Sequence, residues 1–312
     1  MRVLSGVVHR TPLQTSKTLS QRSGSNVFLK WENLQKTGAF KIRGAFYRIW
    51  QLSPEERERG VIAASAGNHA QGVSYAAACF GIESTIVMPR QAALGKVEAT
   101  KDYGSRVVLH GETYDEAYAY ACQLAKESGA TFVHAFDDPF VIAGQGTIGL
   151  ELMQERGDLD AVLVPVGGGG LIAGIAAAVK AIRPRVQVIG VQSSAAPSMV
   201  RSLQSGRRVF IEPKTTIADG LAVCTPGALP FSMIRQWVDD VIEVEDEAIV
   251  EAMWLLLERN KLLVEGAGAA AVAALLRGEA RFRQKNVAVV VSGGNVDLHR
   301  LLSLRQAAAA QV

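Results

Sequence analysis

Cysteine is scarce in this chain of 312 residues: Cys79, Cys122 and Cys224 are odd in number and widely spaced, with no C-x-x-C pair or Cys/His cluster. Neither a disulfide framework nor a zinc site is expected from them. Cys79 and Cys122 fall in alanine-rich helical patterns and are expected to be buried structural thiols. Aromatic residues make up only 6%, and with alanine and glycine plentiful this favours helices packed closely on a sheet. No stretch of about 20 apolar residues occurs, so no spanning helix and no membrane partner are expected. The start of the chain lacks a basic segment followed by an apolar run, so no secretory signal is read and a cytoplasmic location is expected. A net charge of only +3, with no run of basic residues, argues against a nucleic-acid partner. A Gly-Lys-Ser/Thr phosphate loop is missing, and so is the G-x-S-x-G elbow of serine hydrolases. The paired carboxylates Asp137/Asp138 and Asp239/Asp240 fall in turns and read as solvated loop or cap residues.

What is present is an ordinary globular balance, 48% hydrophobic and 20% charged, in a chain long enough for two domains. From about residue 60 onward, short β-branched runs alternate with amphipathic segments. Candidate strands are Val61–Ser65, Ser84–Met88, Arg106–His110, Thr131–His134, Ala161–Val166, Gln187–Gln192, Asp240–Val244 and Asn286–Val291. Helical patterns from Ala70–Phe80 to Ala267–Leu276 separate them. This alternation predicts an α/β fold of two doubly wound, mostly parallel sheets with right-handed crossovers. The expected division is a small inserted domain at 56–138 within a large domain formed by 1–55 and 139–312. The alanine-rich tail Ala307–Ala310 is expected to fray.

Three unusual segments each follow a predicted strand, where doubly wound sheets bind ligands. Ser65-Ala66-Gly67-Asn68-His69 follows the first strand, Gly167-Gly168-Gly169-Gly170 the fifth and Ser292-Gly293-Gly294-Asn295 the last. The four glycines open a helix near Leu171, and successive glycine amides at a helix start read as a phosphate cradle. The partial match G-x-G-x-x-A (Gly168, Gly170, Ala173) points to a dinucleotide instead, but the next strand ends in Gln192 rather than an acidic residue. Asn68 reads either as a helix cap or as a carboxamide aimed at a ligand. His69 reads as an acid/base or, more simply, as a locally hydrogen-bonded histidine. Ser292 offers a hydroxyl at a strand end. Lys41 stands in Thr37-Gly38-Ala39-Phe40-Lys41, just where an apolar helical pattern begins. An isolated lysine is ordinarily a solvated charge, but one held beside these segments can act as a nucleophile.

Taken jointly, TGAFKIRGA, SAGNHAQG, DDPFVIAGQGTIGLE, GGGGLIAG, EGAGAAA and SGGNVDL resemble the threonine/serine dehydratase and serine racemase group. That group belongs to the fold-type II (tryptophan-synthase-β-like) pyridoxal phosphate enzymes, and with Thr11-Pro12-Leu13 the motifs span the chain from near residue 12 to 298. The resemblance implies that pyridoxal 5'-phosphate is the cofactor and that it lies in a cleft between domains. Lys41 would be joined to it through its amine, with Phe40 beside the ring. Asn68 would hydrogen-bond its phenolic oxygen, Gly167 to Gly170 with Leu171 would hold its phosphate, and Ser292 would face its ring nitrogen. The amides of Ser65, Ala66, Gly67, Asn68 and His69 would hold the substrate carboxylate.

A serine opposite the ring nitrogen makes the cofactor a weaker electron sink than a carboxylate does, which suits β-elimination. The resemblance therefore implies an ammonia-lyase. The amine of Lys41 would take the Cα proton of a small hydroxy amino acid, L-threonine and also L-serine, leading to a 2-oxo acid and ammonia. A lyase for 3-hydroxyaspartate and a serine racemase are the alternatives. Racemases of the group carry a second serine where Ala66 stands, so weak racemisation is expected. They also bind a metal through acidic residues where Gln192 and Ser198 appear, so no metal site is expected. The lysine motif has alanine where many relatives have serine. The group's regulatory C-terminal domain is expected to be lacking, and a homodimer or homotetramer is implied.

Overall fold

The computed structural model describes residues 1–297; Leu298 of the last motif and the tail Ala307–Ala310 lie outside the described residues. The described residues form ten strands: β1 Leu13–Thr15, β2 Asn26–Trp31, β3 Val61–Ala64, β4 Ser84–Met88, β5 Arg106–Leu109, β6 Thr131–Phe132, β7 Ala161–Pro165, β8 Gln187–Ser193, β9 Asp240–Val244 and β10 Asn286–Val291. The α-helices are α1 Lys17–Ser23, α2 Lys41–Trp50, α3 Pro54–Arg59, α4 Asn68–Cys79, α5 Leu94–Asp102, α6 Tyr114–Ser128, α7 Pro139–Glu155, α8 Gly170–Ile182, α9 Ser198–Ser205, α10 Ala228–Trp237, α11 Asp246–Leu255 and α12 Gly266–Leu276. They flank a six-stranded sheet in the order β1-β2-β10-β7-β8-β9 and a four-stranded sheet in the order β5-β4-β3-β6. Every pairing is parallel except that of β1 with β2. The chain is thus an α/β protein with two mostly parallel sheets, as its strand–helix alternation predicts.

Apolar runs in β7 (Ala-Val-Leu-Val-Pro) and β10 (Asn-Val-Ala-Val-Val-Val) are buried on both faces, because helices cover both sides of a parallel sheet. The alanine-rich α12 lies in one of these layers, with every residue from Gly266 to Leu275 buried. On the other side α7 and α8 meet so closely that a Cβ on Gly146 would stand 2.8 Å from the carbonyl oxygen of Gly174. Gly144 of α7 likewise admits the backbone of α2, since a Cβ there would overlap the Arg43 carbonyl.

A third core joins Leu4, Ile42, Phe46 and Ile49 to Val61, Ala63, Val73 and Ile86, so packing is continuous across residue 55. Under it lies a buried ion cluster. Arg43 of α2 makes paired hydrogen bonds to Glu32 (2.8 and 2.8 Å) and to Glu151 of α7 (2.6 and 3.0 Å). Lys30 of β2 completes it at 2.8 Å from Glu151. The guanidinium and two carboxylates interlock α2, β2 and α7 directly behind the residue that opens α2, Lys41.

Several expectations change. Before residue 60 only the helical pattern at Lys41 was predicted, and it is α2; β1, β2, α1 and α3 were not predicted. β8 continues one residue beyond Gln192, whose Oε1 accepts the amides of Met199 and Val200 (3.0 and 3.2 Å) and so caps α9. Cys79 is exposed and Cys122 half-buried, not buried, because Cys79 ends α4 on its outer face. Of the two acidic pairs, Asp137 and Asp138 act as caps, whereas Asp239 and Asp240 accept the strand amides of Val188 and Val241. Asp138 accepts the first amides of α7, and Asp137 accepts those of Ala228 and Leu229 at the start of α10.

Candidate active site

Lys41 is the first residue of α2, and the loop before it is shaped by a glycine. Gly38 has φ +71°, and a Cβ there would overlap the Asn295 side chain. The loop runs beside the segment after β10, with the Phe40 amide donating to the Ser292 carbonyl (3.1 Å) and Ala39 bridged to Gly293. The side chain of Lys41 is half-buried. Its Nζ donates to the Ala135 carbonyl (2.9 Å) and lies 5.2 Å from the centre of the Phe40 ring. Burial lowers its pKa to about 8, against the opposing pull of the Glu265 carboxylate. Its place at the positive end of a helix works in the same direction as burial.

The chain following β6 wraps this amine. Phe136, next to Ala135, fills the hollow of the glycine loop: a Cβ on Gly168 would overlap its ring, and one on Gly170 would stand 2.8 Å from its carbonyl oxygen. Gly169, with φ +98°, turns the chain into α8. The amides of Gly167, Gly168 and Gly169 donate to no described residue. With the first amides of α8, which have no intrahelical partner, they form a patch of unpaired donors at a helix start. Leu171 sits in that first turn and is buried.

After β3, residues 65–68 are half-exposed at the end of a fully buried strand. Ser65 donates its amide to Val87 and takes the Gly67 amide on its hydroxyl, while the amide of Ala66 has no described partner. Asn68 is not the cap of α4. Gly67 holds that position without a side-chain bond, and α4 begins at Asn68 itself. The Asn68 carboxamide instead donates to Glu265 Oε1 (2.7 Å) and accepts from Asn295 Nδ2 (2.8 Å). Nor is His69 locally bonded: its Nε2 meets the Val133 carbonyl (2.9 Å), beyond β6. Burial and the nearby Lys41 charge lower its pKa to about 3, so the ring is neutral, donates Nε2–H and performs no acid–base role at neutral pH.

The three strand-end segments and the lysine loop therefore meet. Asn68 touches Asn295, the backbones of Ser292 and Gly293 pair with the lysine loop, and the glycine loop closes on the residue beside Ala135. Ser292 is buried, and its hydroxyl makes no hydrogen bond to a described residue. Sequence reasoning gave no role to Glu265, Asn295 or Phe136. The first two stand in EGAGAAA and SGGNVDL, where a polar residue beside glycines was the available signal; Phe136 carried none. Among the described residues no cluster of His, Cys, Asp or Glu is arranged to hold a metal ion, and no helix is long and apolar enough to cross a membrane.

Residues 4–293 match the family described as pyridoxal-phosphate dependent enzyme. The chain is 53% identical over 300 residues to an L-threonine ammonia-lyase of Thermotoga maritima, covering 96% of this chain and 75% of that protein. The solved structure of the processed form of threonine deaminase isoform 2 from Solanum lycopersicum superposes with TM-score 0.92 at 40% identity, covering 96% of this chain and 88% of that one. Maize serine racemase superposes with TM-score 0.92 at 37% identity, covering 99% and 95%. A fold shared throughout and a family match over nearly all described residues lead to one assignment: the chain belongs to the pyridoxal-phosphate dependent enzymes.

Proposed function

We propose that the chain is a pyridoxal-phosphate-dependent dehydratase (ammonia-lyase) that converts L-threonine, and L-serine as a secondary substrate, to a 2-oxo acid and ammonia. The observation that carries this reading is the setting of Lys41, a half-open amine with its pKa lowered to about 8 between two loops of unpaired amides. The similarity to an L-threonine ammonia-lyase and a threonine deaminase supports the substrate class. The reading carries with it a cytoplasmic location and a homodimer or homotetramer.

The residues present fit the cofactor. The unpaired amides of Gly167 to Gly169 and the start of α8 suit its phosphate, in a hollow that side chains on Gly168 or Gly170 would fill. Ser292 offers a free hydroxyl for the ring nitrogen, Phe40 stands beside Lys41 for the ring, and Asn68 offers a carboxamide for the phenolic oxygen. When bound, the cofactor draws electrons from the amine-bearing carbon of the substrate and acidifies its Cα–H.

The chain's own groups then have defined tasks. The amides of Ala66, Asn68 and His69, at the positive end of α4, receive the α-carboxylate. The amine of Lys41, displaced by the substrate's amino group, takes the Cα proton. The β-hydroxyl takes the proton now held on the Lys41 amine and leaves as water with the Cβ–O electron pair, and the enamine product takes up water to give the 2-oxo acid and ammonia. Ala66 offers a methyl group where a racemase needs a second proton donor, so elimination is the reaction this cleft supports.

A panel of L-threonine, L-serine, 3-hydroxyaspartate and D-serine, assayed for 2-oxo acid, tests the reading. L-threonine is expected to give the highest kcat/KM and D-serine no product. Absence of product from every substrate would reject the reading, and fastest turnover of 3-hydroxyaspartate would reassign the substrate. Gly168→Ala is expected to weaken cofactor binding about tenfold, since an added methyl must displace Phe136 at a strain of about 1–3 kcal/mol. Unchanged affinity by fluorescence titration would remove the glycine loop from the proposed phosphate site.

A further inference from the structure

Glu265 occupies the N-cap position of α12, yet its side chain caps nothing. A capping side chain there would satisfy one of the open amides of the helix's first turn. Its Oε1 instead reaches Asn68 Nδ2 at 2.7 Å, across 197 residues of sequence. The backbone is arranged to permit this. The Glu265 amide donates to the Gly293 carbonyl (3.1 Å), and a Cβ on Gly293 would overlap the same Oε1.

Asn68 is held from its other end as well. Its Oδ1 accepts from Asn295 Nδ2 (2.8 Å), and that Nδ2 also donates to the Thr37 carbonyl (2.8 Å), in the loop that leads to Lys41. A carboxamide offers two donor hydrogens and one acceptor oxygen. Glu265 takes one hydrogen and Asn295 occupies the oxygen, which fixes both the flip and the plane of the amide. One Nδ2 hydrogen remains without a described partner.

We propose that Glu265 is a positioning residue for the reaction: by holding one Nδ2 hydrogen of Asn68 it keeps the other aimed for the phenolic oxygen of the cofactor. This rests on the role given to Asn68 under the proposed function. Burial of Glu265 accords with a fixed, water-free partner. Burial and the Asp219 charge raise its pKa to about 7, while the Asn68 hydrogen bond, Lys96 and Lys41 pull it down. Either protonation state keeps an oxygen that can accept from Asn68, so the aim of the amide survives without the charge.

The test compares binding of pyridoxal phosphate, and the visible absorption band it acquires, in the full-length parent protein and in Glu265→Gln, Glu265→Met, Asn68→Ala and the Asn68→Ala/Glu265→Met pair. Glutamine keeps an acceptor, so its dissociation constant is expected within about threefold of the parent, whereas methionine removes the acceptor and weakens binding roughly tenfold with a shifted band. In the Asn68→Ala background the methionine change is expected to add less than about twofold, because the residue acts through Asn68. Glu265→Ala serves the same comparison should the methionine variant not fold. Full additivity in the double variant, or parent-like binding and band in Glu265→Met, would overturn the proposal while leaving the function intact. A parent protein that acquires no visible band with pyridoxal phosphate would overturn the proposed function and this inference with it.

Discussion

Lys41→Ala is expected to lower 2-oxo acid formation from L-threonine by about 10³-fold or more, because in the proposed mechanism one amine supplies both covalent attachment and the proton-abstracting base. The variant should remain folded. Lys41 forms no ion pair among the described residues, and its one side-chain hydrogen bond goes to the Ala135 carbonyl. Circular dichroism and denaturation midpoints should match the parent, while the visible band gained with the cofactor is lost. A folded Lys41→Ala protein with near-parent turnover would remove the lysine from the mechanism. The same residue predicts a pH dependence in cofactor-free protein. With a pKa lowered to about 8, roughly a tenth of the amine is free at pH 7, against roughly 0.03% for an ordinary lysine. Cofactor attachment should therefore accelerate as pH rises toward 8 and level off above it. A rate still climbing tenfold per unit at pH 9 to 10 would contradict the environment described for Lys41.

Arg43→Met should be the most damaging single change to stability outside the reacting groups. Arg43 is buried with Glu32 and Glu151, and removing it leaves two buried carboxylates with only Lys30 between them. Breaking such a cluster from one side costs about 3–5 kcal/mol, which corresponds to a fall in Tm on the order of 10 °C for a chain of this size. The pH dependence should change as well. Burial by itself raises the Glu32 carboxyl, but Arg43, Thr11 and Lys30 outweigh it and hold the pKa below the usual range. Glu32 therefore contributes stability that is complete above its unfolded value, about 4.5, and is lost as pH falls through the folded value. Without Arg43 burial dominates, the folded pKa rises above the unfolded one, and mild acidification from pH 7 should stabilise the variant instead. Thermal melts from pH 4 to 8 would show this; parallel profiles for parent and variant would mean that Arg43 does not set the ionisation of Glu32. Because Arg43 stands two residues from Lys41 on the same helix, the variant should also lose activity.

Much of the scaffold was legible because local chemistry and tertiary context agree. β3, β7 and β10 are apolar runs buried on both faces, and the unusual glycine and serine segments begin where those strands stop. Apart from the helical pattern that begins at Lys41, the first 60 residues were illegible for a physical reason. β2 carries Lys30 next to its last residue, a charge that argues against a buried strand until Glu151, on a helix more than a hundred residues later, is packed beside it. β1, of three residues, has too little pattern to detect and exists by pairing with β2. Cys79 was misjudged because an alanine-rich helix reads as buried all round, whereas the end of α4 emerges from its packing.

The sequence by itself determined that this is an α/β chain with a lysine, a glycine loop and strand-end polar residues in motifs that resemble those of pyridoxal phosphate enzymes. Those features depend on local propensity and residue type. Only the tertiary structure decided what each polar group faces. It turned Asn68 from a helix cap into a carboxamide clamped by Glu265 and Asn295. It made His69 a neutral ring, and it set Lys41 beside Ala135 and Phe40 where burial lowers its pKa. Hydrogen-bond direction and desolvation depend on neighbours brought from distant parts of the chain, and no local pattern records them.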